Sequence, residues 1–197
     1  MTKILVTVIL VVASFSAVAG PFGLSKGMTL EEVKKYGAFV SGDSPFTYTA
    51  KTLSNGHPDF EIYSIILTPQ QGLCKIQTAG KDVKTSSFGS ELKEKHNDLV
   101  KALSNKYGSP GNNFDFLRTG SIWKDPQDWM MALLKKERTL ASYWSPPERT
   151  NLPDSLLTIQ LEAAASSGST GYIRLGYEFD NLDACIAVLK EKKNSNL

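Results

Sequence analysis

Two cysteines, Cys74 and Cys185, carry the most reactive side chains in this 197-residue chain. A thiolate can act as a nucleophile or as a metal ligand, but both roles need a sulfur that is not bonded to another sulfur. In an oxidising compartment, two cysteines allow one intramolecular pairing. Closing so long a loop stabilises a fold by up to about 4 to 5 kcal/mol in the chain-entropy model. We therefore predict a Cys74–Cys185 disulfide, with an intermolecular bond or a buried pair of free thiols as alternatives.

A second pattern with chemical potential is formed by His57, Asp59 and Glu61, which stand at alternate positions. On a strand they would share one face, as the ligands of a zinc ion do. Pro58 interrupts a strand ladder at this point, however, and Phe60 already explains the alternation as one residue facing the core between residues facing solvent. We expect neither a metal site nor a cofactor here. His96 falls on or beside the apolar face of a predicted helix, which is typical of a structural histidine.

The sequence gives little support for a hydrolase. No Gly-x-Ser-x-Gly motif occurs, and the glycines and serines of 166–171 join two predicted strands, which indicates a hairpin tip and not a phosphate-binding loop. Carboxylate pairs such as Glu178 and Asp180 could serve a glycosidase, but any exposed strand offers such pairs. We assign no catalytic residue.

The three tryptophans and their neighbouring arginines are the most suggestive cluster, because Trp and Arg dominate the hot spots of protein interfaces. Trp129 lies in a predicted helix and Trp144 at the end of a predicted strand, so core packing is the simpler interpretation for both. Trp123, in a predicted loop, together with Arg118 and Arg138, is therefore the candidate partner-binding group.

The first nineteen residues have the pattern of a signal peptide. Lys3 precedes an apolar run from Ile4 to Val12 that is too short to span a bilayer, and small residues at Ala17 and Ala19 fit a signal peptidase. We predict cleavage after Ala19, export to a bacterial periplasm or to the exterior, and no insertion in a membrane.

The composition points to a folded domain without a strong preference for a charged partner. Hydrophobic residues make up 41% of the chain and its net charge is +2, with acidic and basic residues interspersed. We therefore expect no binding to nucleic acid. The lysines near the C-terminus suit the negative end of a helix dipole.

Hydrophobic periodicity and capping signals place the elements that must position these residues. Helices are predicted over 30–36, 90–107, 126–136 and 182–192. Strands are predicted over 46–51, 59–67, 73–79, 138–144, 156–165 and 172–179, with a short segment ending near residue 87. Thr29 and Glu32 form a capping box for the first helix, Gly37 would end it in a left-handed conformation, and Asn181 would cap the last. The segment 111–125 is interpreted as a loop or a poorly formed strand.

Consecutive strands set apart from the helices indicate an α+β fold with antiparallel meander sheet. We predict one exported domain over 20–197, with halves at 20–88 and 89–197. In each half a helix is predicted to end in Lys-Tyr-Gly ahead of strands, at 35–37 and at 106–108, which suggests a degenerate tandem helix-plus-strands repeat.

Two short segments carry a family resemblance. Phe22 to Thr29 followed by Glu32-Val33 resembles the Gly-Met-(Ser/Thr)-x-x-x-Val entry of small periplasmic domains of the β-lactamase-inhibitor-protein-like group, which includes the small lipoprotein of the outer-membrane β-barrel assembly machinery. Leu103 to Pro110 is similar to a Leu-x-x-Lys-Tyr-Gly-x-Pro element of exported proteins. The resemblance implies a helix-plus-meander fold, single or doubled, and a non-catalytic role in binding another protein. Gly20 stands where the lipoprotein has its acylated cysteine, so no lipid anchor is expected.

These observations predict a periplasmic module that binds another periplasmic protein through its meander face, as a monomer or weak dimer. The first alternative is an enzyme inhibitor or immunity-type protein with one tight partner. The second is a hydrolase of cell-wall or carbohydrate material, which would need a pocket lined by carboxylates.

Overall fold

The computed structural model describes residues 20–148 and 152–195, so the predicted signal peptide lies outside the described residues. The helices are α1 (Leu30–Val33), α2 (Ser90–Tyr107), α3 (Trp129–Leu134) and α4 (Leu182–Asn194), with short 3-10 turns at Pro21–Gly23 and Pro126–Asp128. The strands are β1 (Val40–Ser41), β2 (Thr47–Ala50), β3 (Phe60–Thr68), β4 (Gly72–Gly80), β5 (Val83–Lys84), β6 (Asn112–Leu117), β7 (Arg138–Trp144), β8 (Leu156–Ser167) and β9 (Thr170–Phe179).

All nine strands belong to one antiparallel sheet. Its order is β1-β2-β3-β4-β9-β8-β7-β6, and β5 pairs with β9 beside this path. Four strands that follow α1 therefore form one meander, four that follow α2 form another, and the last strands of the two meanders pair at the centre. The predicted α+β class with antiparallel meander sheet is confirmed.

The helices α2 and α3 pack on one face of the sheet, which we call the inner face. The buried side chains of α2 join those of the sheet in a single hydrophobic cluster that includes Ile76, Leu161 and Tyr177. The ring of Phe22, near the start of the described chain, packs edge-on against Tyr177 and the neighbouring strands, with 5.8 Å between these two centroids. The burial of these apolar side chains is the main stabilising contribution to the fold.

Both tryptophans assigned to the core are indeed buried. The indole nitrogen of Trp144 donates a hydrogen bond of 2.6 Å to the carbonyl of Gly108, the residue that ends α2. This bond satisfies the one polar atom of a buried ring. The end of α2 is thereby fixed to β7.

The first helix is shorter than predicted, although its capping box is present. The Glu32 amide donates to the Thr29 hydroxyl at 3.3 Å, and the Thr29 amide donates to the Glu32 carboxylate at 2.8 Å. The Thr29 hydroxyl also donates to this carboxylate, at 3.0 Å, and the two bonds from Thr29 hold the pKa of Glu32 below its usual value. Gly37 is not left-handed, and the α-helix ends earlier, in turns over 34–36. A side chain at Gly37 would approach the carbonyl oxygen of Thr52 to 2.6 Å, so close packing explains this glycine.

The helix α4 packs on the opposite face, which we call the outer face, at one end of β3 and β4. Cys185 of α4 is bonded to Cys74 of β4, with 6.5 Å between their Cα atoms, so the predicted disulfide is confirmed. Leu182 and Ile66 complete the small buried cluster around it.

A β-bulge directs Cys74 toward α4. Ile66 pairs with Lys75 while Leu67 pairs with Leu73, so Cys74 has no partner residue in β3. Leu73 belongs to the inner cluster, whereas Cys74 belongs to the cluster under α4. A bulge changes the direction of a side chain in this way at the cost of one ladder position.

Asn181 occupies the predicted N-cap position of α4, but its side chain does not cap the helix. Its amide nitrogen donates to the carbonyl oxygens of Gln71 at 3.0 Å and Leu73 at 3.2 Å. Asn181 therefore binds the start of α4 to the β3–β4 turn, next to the disulfide.

Candidate functional site

The outer face of the sheet is the face that α2 and α3 do not cover. Antiparallel pairing places alternate residues of each strand on this face. From one edge to the other they include Val40, Thr49, Ile62, Ser64, Gln77, Arg174, Gly176, Glu162, Gln160, Tyr143, Thr139, Phe114 and Phe116. Within the part of the chain that the structure describes, α4 covers the end near Ile66.

An aromatic cluster lies on the outer face at the β6 edge. The ring centroids of Phe114 and Phe116 are 6.2 Å apart, and those of Phe114 and Tyr143 are 5.8 Å apart, both with edge-to-face geometry. Phe114 is 39% exposed and Phe116 is 51% exposed. Two phenyl rings at this exposure offer apolar area that the protein itself does not bury.

A second apolar patch lies at the opposite edge, on β1 to β3. Val40 is 62% exposed and Ile62 is 46% exposed. They line a hollow of about 500 Å³ together with Ala38, Thr49, Ala50, Lys51 and Thr52. A hollow of this size accepts one or two large side chains of a partner.

Between the two apolar patches the outer face is polar, and its charges are paired. Lys75 contacts Glu178 at 2.7 Å, and Arg174 contacts Glu162 at 3.0 Å. A docking partner that covers this strip would therefore meet ions that keep their own counter-ions, which offsets part of the cost of their desolvation.

Tyr143 connects the aromatic cluster to the polar strip. Its hydroxyl accepts a hydrogen bond of 3.0 Å from the side-chain amide of Gln160. Burial and the nearby carboxylate of Glu162 raise the pKa of Tyr143, so the phenol stays protonated at neutral pH. It keeps a proton that it can donate to a partner.

The strands β7 and β8 separate beyond the aromatic cluster, since they pair only between Ala141–Trp144 and Ile159–Glu162. The gap leaves a hollow of about 320 Å³, lined by Thr139, Glu162 and Arg174 on the outer face and by Leu133 and Lys136 from the end of α3. One hollow therefore lies at the β1 edge of the outer face, and the other opens beside the Arg174–Glu162 pair.

The structure separates the residues of the predicted Trp-Arg group. Arg138 lies on the inner side of β7, where it pairs with Asp115 and its guanidinium carbon lies 5.8 Å from the centroid of the Trp129 ring. The amide of Arg118 donates to the carbonyl of Glu137 at 2.7 Å, and this pairing extends the ladder so that Arg118 follows Phe116 on the outer side.

Trp123 lies in the loop that follows, half-buried, with its amide bonded to the Ser121 hydroxyl at 3.1 Å. The two arginines thus lie on opposite sides of the sheet. The three residues form no single surface, and their role in partner binding stays a prediction.

The sequence reasoning did not single out Phe114, Phe116 or Tyr143. The segment 112–117 does alternate two phenylalanines with polar residues, which is a strand signal, but it is short and lies among Gly, Pro and Asn residues. Its strand character depends on pairing with β7, which is distant in sequence.

The residues of the suspected zinc pattern have other partners. Asp59 pairs with Lys95 at 3.0 Å, and the nearest distance between the Asp59 carboxylate and the His57 ring nitrogen is 3.7 Å. Over 20–148 and 152–195, no group of three His, Cys, Asp or Glu side chains is placed to hold a metal ion. Nor does any helix in those ranges have the length and apolar character to cross a membrane.

His96 is a core residue of α2, only 3% exposed. No well-formed hydrogen bond reaches either ring nitrogen. Burial lowers its pKa, opposed in part by the backbone of Leu161, by Asn97 and by the charge of Asp115. The fold therefore favours the neutral ring.

We expect the free energy of unfolding to fall as the pH drops below about 6.5, by at most about 1.4 kcal/mol per pH unit from this group. The unfolded chain binds a proton on His96 in this range and the folded chain resists it. Urea denaturation between pH 7.5 and 5 measures the slope. The His96→Leu variant should lose this contribution, and an unchanged slope in that variant contradicts the assignment.

Comparison of the chain with models of protein families, with curated proteins and with solved structures gives no match, so its classification is the fold itself: an α+β domain with one antiparallel sheet, open on its outer face.

Proposed function

We propose that the protein is a non-catalytic binding module of the bacterial periplasm whose partner, another periplasmic protein, docks on the outer face of the sheet. The observation that carries the proposal is the exposed aromatic cluster at β6. Phe114 and Phe116 present two rings to solvent on strand β6, and Tyr143 adds a hydroxyl beside them. Aromatic side chains with an amphipathic neighbour are the usual anchors of protein interfaces.

The distribution of polarity on the outer face supports a protein as the ligand. Apolar patches at both edges flank a strip of paired charges, so a partner must match an extended pattern and not a single deep pocket. The hollows of about 500 Å³ and 320 Å³ can each receive side chains from such a partner. A small metabolite would use only one of them.

The disulfide supports the location. A bond between Cys74 and Cys185 persists in an oxidising compartment and is rare in a bacterial cytosol. The signal-peptide pattern of residues 1–19 and the resemblance of 22–33 to small periplasmic domains favour the same compartment.

The test is a pull-down from periplasmic extract with the exported protein as bait, followed by affinity measurement with the retained partner. Phe116→Ser and Ile62→Ser each remove an anchor from one apolar patch. Each should weaken binding by about tenfold or more, since hot-spot losses exceed about 1.4 kcal/mol. The matched control is Phe88→Ser, which removes a ring of similar exposure from the loop before α2.

Three outcomes are distinguishable. Loss in the two outer-face variants with retention in the control supports the proposal, and one dominant partner that is itself an enzyme identifies the inhibitor or immunity type. Equal binding by all variants places the partner on another surface and contradicts the proposal. A bait that retains no protein but degrades cell-wall material identifies the hydrolase alternative instead.

A further inference from the structure

Strand β6 is an edge of the sheet with free hydrogen-bonding groups. Among the described residues it pairs only with β7. The amide of Arg118 donates to the carbonyl of Glu137, and this position belongs to the same register as Phe116 opposite Thr139. In an antiparallel ladder, hydrogen-bonded and non-bonded pairs alternate. The even-numbered residues of β6 therefore bond to β7, and the amides and carbonyls of residues 113, 115 and 117 point away from the sheet.

This edge lacks most of the usual protections against pairing. Edge strands are normally short, are covered by a helix or loop, or carry lysine, proline or an inward-pointing charge. The other edge, β1, has two residues, whereas β6 has six and contains neither lysine nor proline. Its one charge, Asp115, is paired with Arg138, and the Asn113 side chain accepts a hydrogen bond of 2.6 Å from the Ser142 hydroxyl.

We propose that the occupant of this edge is β6 of a second copy of the chain, paired antiparallel about a two-fold axis at Asp115. In this register the outward groups of Asp115 meet those of Asp115 in the second copy, and Asn113 meets Leu117. Phe114 of each copy then lies directly opposite Phe116 of the other copy. Such non-bonded pairs bring side chains closest together, and aromatic pairs across strands are stabilising.

The register follows from two requirements, that outward backbone groups meet outward groups and that the exposed rings are covered. The first requirement allows a two-fold axis at any residue of β6. An axis at Phe114 pairs only two of the four rings and leaves each Phe116 opposite Asn112, and an axis at Phe116 pairs the other two and leaves each Phe114 opposite Arg118. The axis at Asp115 pairs all four rings, so it buries more of the exposed aromatic area.

Charge complementarity is consistent with the same arrangement. Two Asp115 carboxylates approach at the axis, but each brings its own Arg138 guanidinium. The axis therefore carries two positive and two negative charges on the inner side, and the aromatic rings lie on the outer side. The dimer joins two outer faces into one continuous surface. A single strand pair is a small interface, so we expect micromolar association.

The experiment is sedimentation equilibrium of the exported protein across the micromolar range, with Asn113→Pro and Asn113→Ala as matched variants. Both lose the bond to Ser142, but only proline also removes the outward amide and crowds the edge. We expect wild type and Asn113→Ala to reach twice the monomer mass, and Asn113→Pro to stay at the monomer mass with unchanged circular dichroism.

A cross-link tests the register without depending on the proline variant. Residues in a hydrogen-bonded antiparallel pair have Cα atoms about 5.5 Å apart, within reach of a disulfide. Asp115→Cys should therefore form a covalent dimer on oxidation, and Asn113→Cys should not. A wild type that remains monomeric throughout, or an Asp115→Cys variant that cross-links no better than Asn113→Cys, overturns the proposal. Neither experiment depends on the proposed partner, because Ile62 at the far edge reports on that function separately.

Discussion

Replacing Cys74 and Cys185 with alanine should lower the free energy of unfolding by about 4 kcal/mol, within the range for a bridge that closes a loop of this length. The closed loop spans 111 positions and includes α2, α3 and the whole second meander. Its loss releases conformational entropy to the unfolded chain. Urea denaturation of wild type and variant at pH 7, followed by circular dichroism, measures the difference.

The same variant should also loosen α4 in the folded protein. Apart from the disulfide, α4 is held by the small cluster around Leu182 and Ile66 and by the hydrogen bonds of Asn181. We expect limited proteolysis near residue 181 to become faster in the variant, while α2 remains protected. Wild type treated with a reductant is the control, since it breaks the same bond without changing the sequence. A loss below about 1 kcal/mol would contradict the loop-closure account.

The second large effect is expected for Gly89→Ala, with a loss of about 3 kcal/mol. Gly89 precedes α2 with φ +70°, a conformation that costs about 1 to 2 kcal/mol for a residue with a Cβ. An added Cβ would also overlap the buried ring of Trp129, the first residue of α3, which packs against Gly89. Overpacking of a core adds about 1 to 3 kcal/mol. Thermal and urea denaturation give the combined value.

Two controls separate the backbone cost from the steric cost. Gly120 has φ +86° and open space around its Cα, so Gly120→Ala should show the conformational cost alone. In a Trp129→Leu background, Gly89→Ala should lose most of its steric contribution. Equal losses for Gly89→Ala and Gly120→Ala would show that the Trp129 ring moves aside freely.

The sequence predicted best those elements that local signals determine. α2 begins at Ser90 and ends at Tyr107, as its apolar periodicity and the following Gly108 indicated. β7 also has its predicted limits. The disulfide followed from counting, because two cysteines leave one intramolecular pairing.

Features that depend on distant partners were beyond sequence reasoning. The bulge at Cys74 exists because the pairing of β3 with β4 changes register there, and no residue type in the sequence predicts this change. The strand character of 112–117 depends on β7, and the position of Arg138 on the inner side depends on the same register. The candidate site was therefore placed at Trp123 and the two arginines, while the exposed rings of Phe114 and Phe116 were missed.

The pairing of β4 with β9 sets an order of events during synthesis, in which a chain emerges from its N-terminus. Strand β4 keeps an open edge until β9 has been made, because Ile76 pairs with Tyr177. Cys74 remains without its partner still longer, because Cys185 lies beyond β9. Its thiol therefore stays unpaired until almost the whole chain has emerged.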